Sequence, residues 1–424
     1  MIRRASGLSA GRYPVPNLDL NYAASRSLSG IETFTRASSS WAFNSAGVLT
    51  QYAANTPRFD YDPVTLAPRG LLIEEQRTNL FLRSADFLDA AWSKTRVLVS
   101  ANATAAPDGT TAASKIVETA AAGSHLMRQG IGTTTTGQTF TTTLFAKAAE
   151  RSVFTMLCAG ATLNRSAHFN LSTGTVTAGG MGLAGSHSIT PVGNGWYRCE
   201  QTFVIDSGGT AAYVDYRLSN VANPISTGTS YTGDGVSSLY LWGAQLEAAP
   251  FATSYIPTTS ASVTRAADAC GIPISAFGFN ANEWSILVEA QYLGNNSTGG
   301  GQRIIQIDDG TNTNRATLFL DHIASAGRFA VVSSPNNANV VVASGLPSAG
   351  ETFRISGGYA VDNVVCSYRG ASSSMDGTVS PLAPLTTLRL GANAIGTERW
   401  NGCIRRVAYF PRRLDNATLG RITS

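Results

Sequence analysis

SLYLWGAQLEAAPFATSYIPTTSASVTRAAD, residues 238–268, decides how the chain divides. Its first part alternates as a strand requires: Tyr240 and Trp242 point to one side, Leu239 and Leu241 to the other. From Glu247 to Phe251 the alternation breaks, and Pro250 has no N–H to give to a ladder. Pro257 and five Ser or Thr residues between 258 and 264 follow, and a new alternating run opens at Trp284. One β-unit closes in this stretch and another begins after it.

Composition agrees with an all-β chain. Only 14% of the 424 residues are charged, too few to clothe the exposed faces of long helices, while glycine occurs 42 times. Short strands joined by Gly, Ser, Thr and Asn turns fit better. Upstream of the dividing stretch, FTTTLFAKAA, SVFTMLCAG, AHFNLSTGTVTAG, WYRCEQTFVI and AAYVDYRLSN recur at sandwich-like intervals, with Ser172-Thr173-Gly174 as a hairpin turn. Downstream, about nine strand candidates run from NEWSILVEAQYL to GCIRRVAYFPRRL, with a short helix expected from Asp415. The expected organisation is an irregular N-terminal arm, residues 1–74, then two tandem antiparallel β-sandwiches, residues 75–262 and 263–424.

Charge and cysteine usage exclude several roles. A net charge of +4 without a dense basic cluster argues against nucleic acid. Arg405 and Arg406 are adjacent, so in a strand they face opposite sides. Five scattered cysteines with no CxxC read as reduced, structural residues. No apolar run reaches about 18 residues, so no membrane insertion is expected. The N-terminus lacks the apolar core of a signal peptide, which predicts synthesis and folding in a cytoplasm.

Two runs carry a resemblance. FTRASSSWAFNSAGVLTQYAANTPRFDYDPVTLAPRGLLIEEQRTN (residues 34–79) and YLWGAQLE with TSYIPTT resemble the head-spike and tail-fibre proteins of tailed bacteriophages. The resemblance implies a carbohydrate-binding jelly roll for the first sandwich. For the second, WSILVE, FRISGGYAVDNVVCSYRG and LRLGAN with RWNGCIRRVAYFPRRL resemble laminin-G or concanavalin-A-like lectin domains. Arg369 stands where that family often has Asp, so a family contact there is not carried over. A virion-surface protein is implied, made without a signal peptide in the bacterial host. Its expected partners are host surface glycans, other virion proteins through residues 1–74, and two further copies in a homotrimer. The other reading of residues 1–74 is a structured leader packed on the next domain.

No catalytic signature stands out: HExxH and P-loop patterns are missing, and the four histidines are dispersed. The chain is therefore expected to be non-enzymatic. A capsule depolymerase would call for a long β-helix with repeating rungs, and no such period occurs. A purely structural decoration protein is the rival reading. For a sugar site, alternation places Trp196 and Arg198 on the non-core side of one strand, and Tyr213, Asp215 and Arg217 on the non-core side of another. If the two strands are neighbours, these five line one solvent-facing groove. Asp308 and Asp309, before Gly310, are candidate ligands for a structural Ca²⁺, with a plain hairpin turn the favoured alternative.

Overall fold

The computed structural model describes residues 14–160, 162–179, 184–221, 230–293, 301–333 and 335–424. Both expected sandwiches are present, and every pairing between their strands is antiparallel. In the first, one sheet runs His187–Pro191, Trp196–Val204, Thr139–Ala148, Ser238–Glu247, Ala113–Glu118, Val97–Thr104. The facing sheet runs Thr175–Gly179, Asn164–Asn170, Val153–Ala159, Tyr213–Ser219, Leu126–Gly130, Ser93–Thr95. Leu239 and Leu241 enter the core between the sheets with Cys199, Phe203, Val214, Tyr216 and Leu218. At Gly243, with φ +63°, the register against Thr139–Ala148 slips by one residue. Beyond that bulge the inward positions become Ala244 and Leu246.

The second sandwich does not begin at residue 263. Its larger sheet is centred on Glu283–Tyr292 and Gly402–Phe410, and Leu18–Asn21, Pro68–Ile73 and Arg58–Tyr61 extend it. The facing sheet begins with Thr33–Thr35, paired to Ala269–Pro273, and runs on through Thr387–Leu390, Gly301–Asp308 and three further strands. Leu18, Leu20, Tyr22, Leu71 and Ile73 lie in one core with Trp284, Ile286, Trp400 and Tyr409. The expected separate arm is therefore corrected: residues 14–74 are largely built into the C-terminal sandwich, and the first sandwich is inserted between its parts. Strands of three to six residues leave little periodicity to read, and the partners that complete them lie up to about 390 positions away. The chain enters and leaves the insert through adjacent strands, Arg77–Asn79 and Val263–Arg265. The helix Asn416–Thr423 forms as expected, capped by the Asp415 carboxylate accepting from the Thr418 N–H at 2.8 Å.

The hairpin Ser40–Phe43 with Leu49–Tyr52 leaves the C-terminal sandwich and lies on the insert. Trp41, Phe43 and Leu49 pack there against Phe145, Trp196, Trp242 and Tyr255, forming a second core on the outside of a sheet. At the junction, Arg36 and Arg58 pair with Asp268, Arg58 also pairs with Glu74 at 2.7 Å, and Arg265 lies 3.4 Å from Glu74. All five side chains are at most 5% exposed. Asn79, also buried, donates to the carbonyls of Ala244 and Ile256 and accepts from the N–H groups of Phe81 and Leu246. The polar residues of the run 34–79 thus meet the end of the dividing stretch.

Candidate functional site

Trp196–Val204 and Tyr213–Ser219 belong to opposite sheets, so the five proposed sugar-binding residues do not form one groove. The alternation was in phase on both strands: Cys199, Phe203, Val214, Tyr216 and Leu218 face the inner core. Sequence alternation reports which side of a strand is apolar, not which sheet the strand joins. Trp196 does point away from the inner core, yet it is 2% exposed beneath the N-terminal hairpin, and its Nε1 donates to the Ala105 carbonyl at 3.0 Å. Arg198 donates to the Thr253 carbonyl. Neither side chain belongs to an open sugar-facing surface.

Tyr213, Asp215 and Arg217 do share one outer face, and Arg128 joins them. Leu126–Gly130 lies beside Tyr213–Ser219 with Arg128 opposite Asp215. Met127, one position earlier, enters the inner core, so Arg128 points outward. Its Nε and Nη2 donate to the two Asp215 oxygens at 2.6 and 2.9 Å. Arg217 Nε donates to Asp215 Oδ2 at 3.0 Å from the other side. The Arg128 guanidinium carbon stands 3.5 Å from the Tyr213 ring centroid, a cation–π stack. Asp215 is fully buried, while 37% of the Arg128 side chain is exposed. Two guanidinium groups share one carboxylate, which leaves this patch one positive charge in excess. Hydrogen bonding to Asp215 raises the pKa of Arg128, so the group stays charged throughout the biological range.

Further along the same face, His168 stands opposite Thr155 and accepts or donates at 2.8 Å between its Nδ1 and Thr155 Oγ1. His168 Nε2 and Ser166 Oγ are buried and make no hydrogen bond among the described residues. Burial lowers the His168 pKa and favours the neutral ring. Arg128, in the short run LMRQG, was missed because one arginine among mixed residues carries no pattern. Its partner strand was needed to reveal it.

Asp308 and Asp309 do not suit Ca²⁺. Asp308 Oδ2 accepts from Arg389 Nε at 2.8 Å and Gln306 Nε2 at 3.0 Å, and its Oδ1 accepts from the Gly310 N–H. Asp309 Oδ1 accepts from the Thr311 N–H at 2.9 Å. A guanidinium already neutralises Asp308, and no group of three or more acidic, His or Cys side chains gathers as a metal cage among the described residues. The pair serves the alternative role, a turn held by its own carboxylates. All five cysteines are buried free thiols. Arg405 and Arg406 pair with Glu289 and Asp19 respectively.

No protein-family model matches the chain, and no curated protein matches it. Similar solved structures include the CBM40 module of a Ruminococcus gnavus IT-sialidase bound to alpha2,3 sialyllactose, at 13% identity over 34% of this chain and 84% of that one, TM-score 0.28. Domains LG4-5 of the mouse laminin alpha1 chain align at 12% identity over 81% of this chain and 94% of that one, TM-score 0.25. Trypanosoma rangeli sialidase aligns at 9% identity over 73% and 60%, TM-score 0.28. The class defined by the chain's own strand pairing is an all-β protein of two antiparallel sandwiches, one inserted within the other.

Proposed function

We propose that this chain is a non-enzymatic glycan-binding protein, acting as a spike or fibre on the surface of a tailed bacteriophage and binding host surface polysaccharide. The observation that carries the reading is the array of Arg128, Tyr213, Asp215 and Arg217 on one sheet face. It combines planar hydrogen-bond donors with an aromatic ring, the groups that saccharide hydroxyls and C–H faces engage. In the virion, the surface of residues 1–74 contacts other virion proteins, and three copies present several weak sites at once. One observation favours a structural decoration protein instead: Asp215 satisfies both arginines without any ligand.

A glycan array probed with the full chain and with Arg128→Ala tests the two readings. Arg128→Ala should weaken binding about tenfold, the equivalent of ~1.4 kcal/mol, with the fold intact by circular dichroism. An array on which the folded wild-type protein binds nothing would leave the structural reading. Light scattering should return a trimer mass, and a monomer at micromolar concentration would count against the assembly.

A further inference from the structure

A second concave feature lies on the C-terminal sandwich, in the sheet that the N-terminal segment completes. It is a cleft of about 370 Å³ between Thr33–Thr35, Ala269–Pro273 and Thr387–Leu390, closed on one side by the loop 392–399. Its lining includes Thr33, Thr35, Gly271, Arg389, Ile395 and Arg399. Leu388 and Leu390 enter the core, so Arg389 between them projects outward. On its neighbour strand it stands opposite Gly271, which has no side chain to fill the space beside it. The loop is held in place by Asn393, whose Nδ2 donates to Thr397 Oγ1 at 3.0 Å, and by Asn312, whose Oδ1 accepts the Ala394 N–H.

The cleft has unspent positive charge. Arg389 uses Nε on Asp308, and its two Nη nitrogens make no hydrogen bond among the described residues. Arg399 donates to the carbonyls of Gly396 at 2.9 Å and Asp268 at 2.7 Å, and no carboxylate lies within ion-pair distance of it among the described residues. Behind the cleft is the buried junction. Counting Arg36, Arg58, Arg77, Arg265 and Arg399 against Glu74, Glu75 and Asp268 gives five positive and three negative charges, a surplus of two. Screening is weak there because most of these groups are buried. Asp308 does not cancel the surplus, since it pairs with Arg389 and stands opposite Arg315 on the next strand. Around this charge the rim offers hydroxyls from Thr33 and Thr35 and an aliphatic wall from Ile395, which is 67% exposed.

We infer that this cleft binds the carboxylate-bearing sugar residue of an acidic polysaccharide. The Arg389 fork and Arg399 take the carboxylate, the threonine hydroxyls take ring hydroxyls, and Ile395 covers the ring's C–H face. The assignment rests on the reading that the chain binds glycans, and it places the selection for acidic sugars in the C-terminal sandwich rather than at Arg128.

Titration calorimetry of the full chain with a uronate-containing oligosaccharide and its neutral counterpart tests it. The wild-type protein should prefer the acidic ligand, and added salt should reduce that preference. Arg389→Gln should weaken the acidic ligand about tenfold and leave the neutral one unchanged. Thr35→Trp, which fills the cleft from an exposed position, should also weaken the acidic ligand, without relying on loss of charge. Unchanged acidic binding in both folded variants overturns the inference while glycan binding stands. So does a wild-type protein that prefers the neutral ligand, or inorganic phosphate competing as well as free uronate. Failure to bind either saccharide defeats the inference, and a blank glycan array alongside it defeats the broader reading as well.

Discussion

Glu74 illustrates what a single side chain does at the junction. Burial alone would push its carboxyl up, but Arg265 and Arg58, with hydrogen bonds from Ser254, pull its pKa down to about 2. A carboxylate depressed from an ordinary value of 4.5 contributes stability that is fully present above that value. The contribution is lost as pH falls from about 4.5 through 2. Glu74→Gln should therefore destabilise the protein at neutral pH by on the order of 3 kcal/mol, since it leaves buried arginines short of a partner. The variant should also show a flatter loss of stability in that acid window. Urea unfolding at a series of pH values measures both, and an acid limb identical to wild type would show that Glu74 does not carry this linkage.

At the level of elements, the strand Ser238–Glu247 is informative because it serves two cores. Leu239 and Leu241 face the inner core, and Tyr240 and Trp242 face the outer one under the N-terminal hairpin. The bulge at Gly243 then turns Ala244 and Leu246 inward. A Cβ at residue 243 would lie 2.9 Å from Phe145 Cδ2, and the backbone there has a left-handed φ of +63°. Gly243→Ala should cost about 1–3 kcal/mol, from strain and overpacking together, read as a lower urea midpoint. An unchanged midpoint would mean the strand can straighten, with the phase of Ala244 and Leu246 set by something other than the bulge. The alternation through Trp242 is plain in the sequence. The bulge after it is not, because a one-residue slip of register leaves no mark in the sequence without the partner strand.

On the scale of the whole molecule, the N-terminal segment is a clasp on both sandwiches. Removing residues 1–60 takes Leu18–Asn21, Thr33–Thr35 and most of Arg58–Tyr61 from the C-terminal sandwich, exposes Trp196 and Trp242, and deletes Arg36 and Arg58 from the buried network. The truncated chain should aggregate or unfold cooperatively at lower temperature. A soluble product with wild-type melting behaviour would show that these strands add little. The sequence by itself determined the all-β class, the two sandwiches, the inward side of Trp196–Val204 and Tyr213–Ser219, and the short C-terminal helix after Asp415. Those properties follow from local alternation, composition and turn or cap residues, which act over a few positions. Tertiary structure alone decided that one sandwich is inserted in the other, that Trp196 is covered and that Tyr213–Ser219 lies on the opposite sheet. It also decided that Arg128 meets Asp215 and that Arg389 and Arg399 border one cleft. Each of these depends on which distant strand becomes a neighbour, a choice made by the summed burial and ion pairing of the finished fold.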